Sequence, residues 1–99
     1  MESNIKVANK EKIKIQIPKN YKVIMYNDDF TTMEFVVEVL RDIFHKNSAD
    51  AEKIMLYVHQ KGQAVVGIYP YDMAVTRTNH AISLARENGF PFRMTVEEE

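Results

Sequence analysis

From Tyr21 to Tyr26 apolar side chains fall on both faces of an extended chain. Tyr21, Val23 and Met25 point one way and Ile24 and Tyr26 the other, which predicts a central strand. Asn27, Asp28 and Asp29 then stop it, because short polar side chains bond their own backbone and compete with a ladder. Thr31 followed three residues later by Glu34 reads as a capping box opening a first helix, which His45 to Asn47 closes. Its apolar stripe is Met33, Val36, Val37, Leu40, Ile43 and Phe44, with Glu34, Glu38, Arg41 and Asp42 in water. A second helix takes Asn47 or Ser48 as N-cap, carries Asp50 and Glu52 near its positive end, and closes at Gly62. Its core face is Ala51, Ile54, Met55 and Val58. Ala64 to Tyr69 form a short strand, apolar on both faces, in which Gly67 marks a close approach by some neighbour, and Pro70 ends it. Asp72 supports a third helix to Asn88, with Ala74, Ala81 and Ala85 as a small-residue stripe and Gly89 as a left-handed stop. Phe92, Met94 and Val96 alternate in a last strand, and Glu97 to Glu99 are expected as a solvated acidic end.

The order strand, helix, helix, strand, helix, strand predicts an α+β fold, with three short strands covered by helices on one face. The expected organisation is a flexible extension over residues 1–20 and a single domain over residues 21–99. The extension holds five lysines, Lys6, Lys10, Lys12, Lys14 and Lys19, against Glu2 and Glu11, with no aromatic residue. Within it Ile13, Ile15 and Ile17 alternate with polar residues until Pro18. Disorder in isolation and pairing along a sheet edge are both compatible with that pattern.

Composition narrows the chemistry. A chain of 99 residues, 45% apolar and 27% charged, builds one core and a shallow groove rather than a deep cofactor cleft. Zero cysteines remove disulfides, thiolate metal sites and thiol catalysis, and fit a reducing compartment. No apolar run has the length of a membrane span and no secretory signal is readable, so the cytoplasm is the expected location. A net charge of -1 supplies no global field for nucleic acid. Ser3, Ser48 and Ser83 stand in no nucleophile-elbow pattern, and the glycines at 62, 67 and 89 build no phosphate loop. His45, His59 and His80 form no i, i+4 pair, and Asp28 and Asp29 leave a strand in opposite directions. No metal, cofactor, nucleic acid or membrane partner is therefore expected, and no catalysis.

What remains is an acceptor cluster at a strand end beside apolar helix faces. Turn chemistry alone accounts for Asn27, Asp28 and Asp29 in most settings. Three acceptor side chains are generous for one helix start, however. Asn27 and Asp28 projecting together beside an apolar hollow could accept the hydrogens of an α-ammonium group while the hollow takes its apolar side chain. Met55 and Val58 offer that apolar face from the second helix, with His59 at the rim, although i, i+3 apolar pairs are commonly plain core.

The strings YKVIMYNDDFTTMEFVVEVL, MLYVHQKGQAVVGIY and DMAVTRTNHAISLARENGFPF, in this order, closely resemble the ClpS family, bacterial adaptors of the ClpA/ClpP protease. The likeness runs from about Tyr21 to Glu97. It implies three antiparallel strands with three helices, as in the C-terminal domain of the ribosomal stalk protein. It also implies a non-enzymatic adaptor that binds proteins with N-terminal Leu, Phe, Tyr or Trp and hands them to a ClpA-type AAA+ unfoldase, whose N-terminal domain it contacts. By resemblance the α-amine ligands are Asn27, Asp28 and His59, and the apolar pocket is Thr31, Met33, Val36, Met55, Val58 and Phe92, with Asp29 at its rim. Met33 stands where the family gates against β-branched side chains. Tyr69, Asp72 and Arg77 fall on the unfoldase-facing surface, and the N-terminal extension would engage the unfoldase during hand-off. Two positions depart from the family pattern. Thr32 replaces a common Pro, which implies a looser helix entry, and Phe92 replaces a common Leu, which implies less space for Trp.

Overall fold

The computed structural model describes residues 17–99. The elements are β1 (Asn20–Tyr26), α1 (Met33–Asp42), α2 (Ser48–Lys61), β2 (Gln63–Pro70), α3 (Tyr71–Glu87) and β3 (Arg93–Glu98), the predicted α+β order. The sheet is antiparallel, with β1 between β2 and β3. The expectations about Ile13, Ile15 and the extension up to residue 16 lie outside the described residues; of the remainder, Ile17 is exposed, Lys19 forms an ion pair and Asn20 opens β1.

Alternation along β1 sends Val23 and Met25 into the core with Phe35, Val39, Leu40, Ala51, Val58 and Phe92. Ile24 is buried on the opposite face, between Val65 of β2 and Thr95 of β3. Both faces of β1 are thus apolar because both are covered by something, helices on one side and neighbouring strands' side chains on the other. Outward-facing Val65 and Ile68 on the edge strand β2 stay about half exposed, at 47% and 48%. Ala74, Ala81 and Ala85 are fully buried, and their small side chains let α3 lie close to the sheet. Gly62 and Gly89 take φ of 91° and 74°, the left-handed conformations that glycine adopts without a Cβ penalty. Asn47 caps α2, its side chain accepting the Asp50 N–H at 2.8 Å.

Three sequence readings are corrected. The capping residue of α1 is Thr32, whose hydroxyl accepts the Phe35 N–H at 3.2 Å, so helix entry is capped rather than loosened where the family has Pro. Within α1 the buried face is Phe35, Val39 and Leu40, while Met33 is exposed and Val36 and Val37 are half-buried. The helix ends at Asp42, and Ile43 and Phe44 reach the core from the turn beyond it. Finally, the acidic end is solvated as expected, with Glu97, Glu98 and Glu99 all exposed, and it is also structured. Glu97 and Glu98 belong to β3, Glu98 pairs with Lys19 at 3.0 Å, and the Glu99 N–H donates to the Asn20 carbonyl at 3.0 Å.

The neighbour at Gly67 is Tyr69, two residues on and on the same face. β1 pairs Val23 with Gly67 but Ile24 with Val65, so Val66 is an extra residue, a bulge whose side chain enters the core. A Cβ at position 67 would sit 2.5 Å from the Tyr69 hydroxyl oxygen and 2.7 Å from Cζ. The ring cannot swing away freely, because Phe44 packs on it at 5.9 Å and the Arg77 guanidinium lies over it at 5.3 Å. Gly67→Ala is therefore expected to destabilise the domain by about 1–3 kcal/mol through overpacking, read as a drop in Tm of about 4–8 °C per kcal/mol. An unchanged Tm would show that the ring repacks at no cost.

Candidate functional site

The end of β1 and the end of α2 are tied together. Tyr26 pairs with Gln63, and the Asn27 N–H donates to the Gly62 carbonyl at 2.9 Å. His59 lies in the last turn of α2, just before Gly62, so this bond holds the backbone segments that carry Asn27 and His59 next to each other. The loop after Asn27 is organised by Asp28. Its Oδ1 accepts the Phe30 and Thr31 N–H groups at 2.8 and 2.7 Å, and its Oδ2 accepts the Thr31 hydroxyl at 2.7 Å. Thr31 is thereby committed to the loop, which is why Thr32 caps α1. The short connection places Met33 directly behind the acceptor cluster.

These constraints converge on a hollow of about 230 Å³ lined by Asn27, Asp28, Asp29, Thr31, Met33, Val36, Met55 and His59. That volume lies below the roughly 300–1,000 Å³ common for drug-sized ligands and suits one amino-acid side chain. Asn27, Asp28, Asp29 and His59 supply polar groups, and Met33, Val36 and Met55 supply apolar surface. Every lining residue had been named from sequence. Val58 and Phe92, expected on the pocket wall, are not on it: Val58 is buried in α2's core face and Phe92 is 0% exposed, edge-to-face on Phe35 at 5.9 Å. Of the expected unfoldase surface, Arg77 and Tyr69 stack on one another, and Asp72 stands exposed in the first turn of α3 beside Lys19 and Tyr21. That surface adjoins the start of β1, at the other end of the sheet from the hollow.

Burial raises the Asp28 pKa, but the hydrogen bonds from the Thr31 N–H, the Thr31 hydroxyl and the Phe30 N–H, together with the Arg86 charge, outweigh it, so the net direction is downward. Arg86 is held nearby, its Nη1 donating to the carbonyls of Phe90 and Phe92 at 2.7 and 3.0 Å. A carboxylate with a depressed folded-state pKa stabilises the loop at neutral pH and loses that contribution as pH falls through the lowered value, below 3.8. The Phe30 and Thr31 amide resonances should hence titrate below the usual carboxylate range. A midpoint at or above that range would contradict the bonding of Asp28. Of its roughly four acceptor positions three are filled, leaving one for a ligand.

A second depression of about 440 Å³ runs between α1 and α2, lined by Met33, Glu34, Val37, Glu38, Arg41, Asp42, Glu52, Met55 and Leu56. It shares Met33 and Met55 with the hollow. Sequence reading missed it; Leu56, 49% exposed and off the core face of α2, was the available signal.

The described residues form a small sheet-and-helix domain with a hollow the size of one residue, and no described helix is long and apolar enough to cross a membrane. The sequence profile described as ATP-dependent Clp protease adaptor protein ClpS matches residues 16–95, and the chain belongs to that family. It is 51% identical over 89 residues to the ATP-dependent Clp protease adapter protein ClpS of Clostridium acetobutylicum, spanning 90% of this chain and 88% of the relative. The counterpart of Wolinella succinogenes is 48% identical over 96 residues, spanning 97% and 94%. Among solved structures, Agrobacterium tumefaciens ClpS2 bound to L-phenylalaninamide superposes with a TM-score of 0.80 at 40% identity, spanning 84% of this chain and 100% of that one.

Proposed function

We propose that this Clp protease adaptor is a cytoplasmic, non-enzymatic protein that binds substrates by a free N-terminal Leu, Phe, Tyr or Trp and passes them to the N-terminal domain of a ClpA-type AAA+ unfoldase. The observation that carries the reading is the mixed lining of the hollow, in which Asn27, Asp28 and His59 come together with Met33, Val36 and Met55. An ammonium group needs acceptors, and a large apolar side chain needs a dry surface within one residue's reach of them. The ligand of the Agrobacterium protein supports it: L-phenylalaninamide carries a free amine, an apolar ring and an amide where a polypeptide would continue.

In this reading Asn27, the remaining acceptor position of Asp28, and His59 hold the amine. Thr31 works indirectly, by fixing the Asp28 carboxylate. Met33, at 46% exposure, closes one side of the hollow and discriminates against β-branched side chains. Tyr69, Asp72 and Arg77 form the unfoldase contact, away from the substrate. The test is a labelled peptide beginning with Phe, with its amine free or acetylated, followed by fluorescence anisotropy. Binding that disappears on acetylation supports the reading. Binding indifferent to acetylation overturns it in favour of a docking module that reads no N-terminus.

A further inference from the structure

We propose that the depression between α1 and α2 is a second recognition track, which receives the extended chain following the bound N-terminal residue and favours basic side chains at every second position. This rests on the amine-reading function above and adds a sequence preference to it.

Continuity comes first. Met33 and Met55 line both the hollow and the depression, so a chain held by its first residue has this apolar floor immediately beside it. Val37 and Leu56 extend the floor, and the half-exposed Met33 and Leu56 leave it without a described cover. Charge complementarity is the second observation. Glu34, Glu38 and Asp42 from α1 and Glu52 from α2 rim the floor, against Arg41 alone. Among the described residues the ion pair joins Lys19 to Glu98, at the far end of the sheet, so these four carboxylates form no ion pair with a described residue and Arg41 offsets only part of their charge. Lysine and arginine suit such a groove: their aliphatic stems lie on methionine, valine and leucine while the charged heads reach the rim.

Spacing is the third. Glu34, Glu38 and Asp42 follow one another at i, i+4, which on a helix means about 6 Å of rise between successive carboxylates. In an extended chain, side chains of the same face recur about every 6.7 Å. Alternate residues of a bound segment therefore meet successive carboxylates, and the intervening ones face away. The α1 length of ten residues is about 15 Å, room for four or five extended residues.

The test uses the full chain and ten-residue peptides that all begin with Phe, with positions three to seven carrying alternating Lys, alternating Glu or only Ser. At low salt the alternating-Lys peptide should bind about fivefold tighter than the Ser peptide and the Glu peptide more weakly than either, as expected for exposed ion pairs. In the variant Glu38→Lys/Asp42→Lys this order should invert, while the Ser peptide keeps its affinity. The methyl resonances of Val37 and Leu56 should shift with the Lys peptide and not with the Ser peptide. Equal affinities of acetylation-sensitive Lys and Glu peptides overturn the track and leave the amine reading standing. A lysine preference that survives the charge-reversal variant also overturns it, by placing charge recognition elsewhere. Equal gain from three consecutive lysines overturns the alternation. Failure of every peptide to bind removes the amine reading and the track together.

Discussion

A peptide beginning with Phe is expected to lose at least two orders of magnitude in affinity when its N-terminus is acetylated. With the amine free, burial of the ring contributes roughly 1.5–3 kcal/mol, and each charge-assisted hydrogen bond from the ammonium group about as much again. Loss of association and ordering freedom offsets several kcal/mol, which leaves a micromolar complex of about 8 kcal/mol. Acetylation removes the charge and all but one donor, and it places a methyl and a carbonyl against Asn27, Asp28 and His59, all of which present acceptors. Two lost charge-assisted bonds already exceed the roughly 2.7 kcal/mol that corresponds to a hundredfold. Anisotropy titrations that place the acetylated peptide within threefold of the free one would remove the amine from the account. A micromolar complex also suits transfer to an ATP-driven machine, since affinity differences are mostly differences in off-rate.

Phe92→Ala should be the most damaging single substitution for stability while leaving N-terminal residue preference untouched. The side chain is fully buried, meets Phe35 edge-to-face at 5.9 Å, and belongs to an aromatic chain continued by Phe90, 5.1 Å from Phe35. Truncation removes that transfer energy and leaves a cavity, about 3–5 kcal/mol in comparable cores. In a domain of this size the corresponding drop in Tm is about 20 °C. The folded fraction should rank Leu, Phe, Tyr and Trp peptides as the parent does, because Phe92 lies behind the core rather than on the hollow's wall. A variant with unchanged Tm and altered ranking would return Phe92 to the pocket where the family resemblance had put it.

Most of the architecture was legible because its signals are local. Gly62 and Gly89 needed only their position after a helical period, Asn47 its place before Asp50, and the alanine stripe its spacing. What misled was a surplus of equivalent choices. Thr31 and Thr32 both suit an N-cap; the decision falls to Asp28, which bonds the Thr31 hydroxyl and leaves Thr32 to the helix. α1 is apolar at Phe35, Val36, Val37, Val39 and Leu40, so period alone selects no face. The aromatic residues at 90 and 92 decide it, by packing on Phe35 from a segment fifty residues away in sequence. The same ambiguity kept the hollow's list too long, since nothing local distinguishes Val36, which faces the hollow, from Val58, which does not. Asn27 and Asp28 were legible as acceptors with His59 at the rim, but His59 as an amine ligand beside them came only through resemblance, because the bond that brings them together runs between backbone atoms of Asn27 and Gly62.

The position of β1 at the centre of the sheet has a mechanical consequence. Its first residue follows directly on the N-terminal segment, its last leads into the hollow, and it is laddered on both sides. Antiparallel ladder bonds stand perpendicular to the strands. Tension between residue 17 and a load held through Met55 and His59 of α2, which leads directly into β2, therefore pulls β1 lengthwise against β2 and strains their shared rungs together, in shear. The start of β1 and the end of β3, by contrast, lie side by side where Asn20 meets Glu99. Pulling those ends apart opens the β1–β3 ladder one rung at a time, so the domain is strong along one line of force and weak along the other.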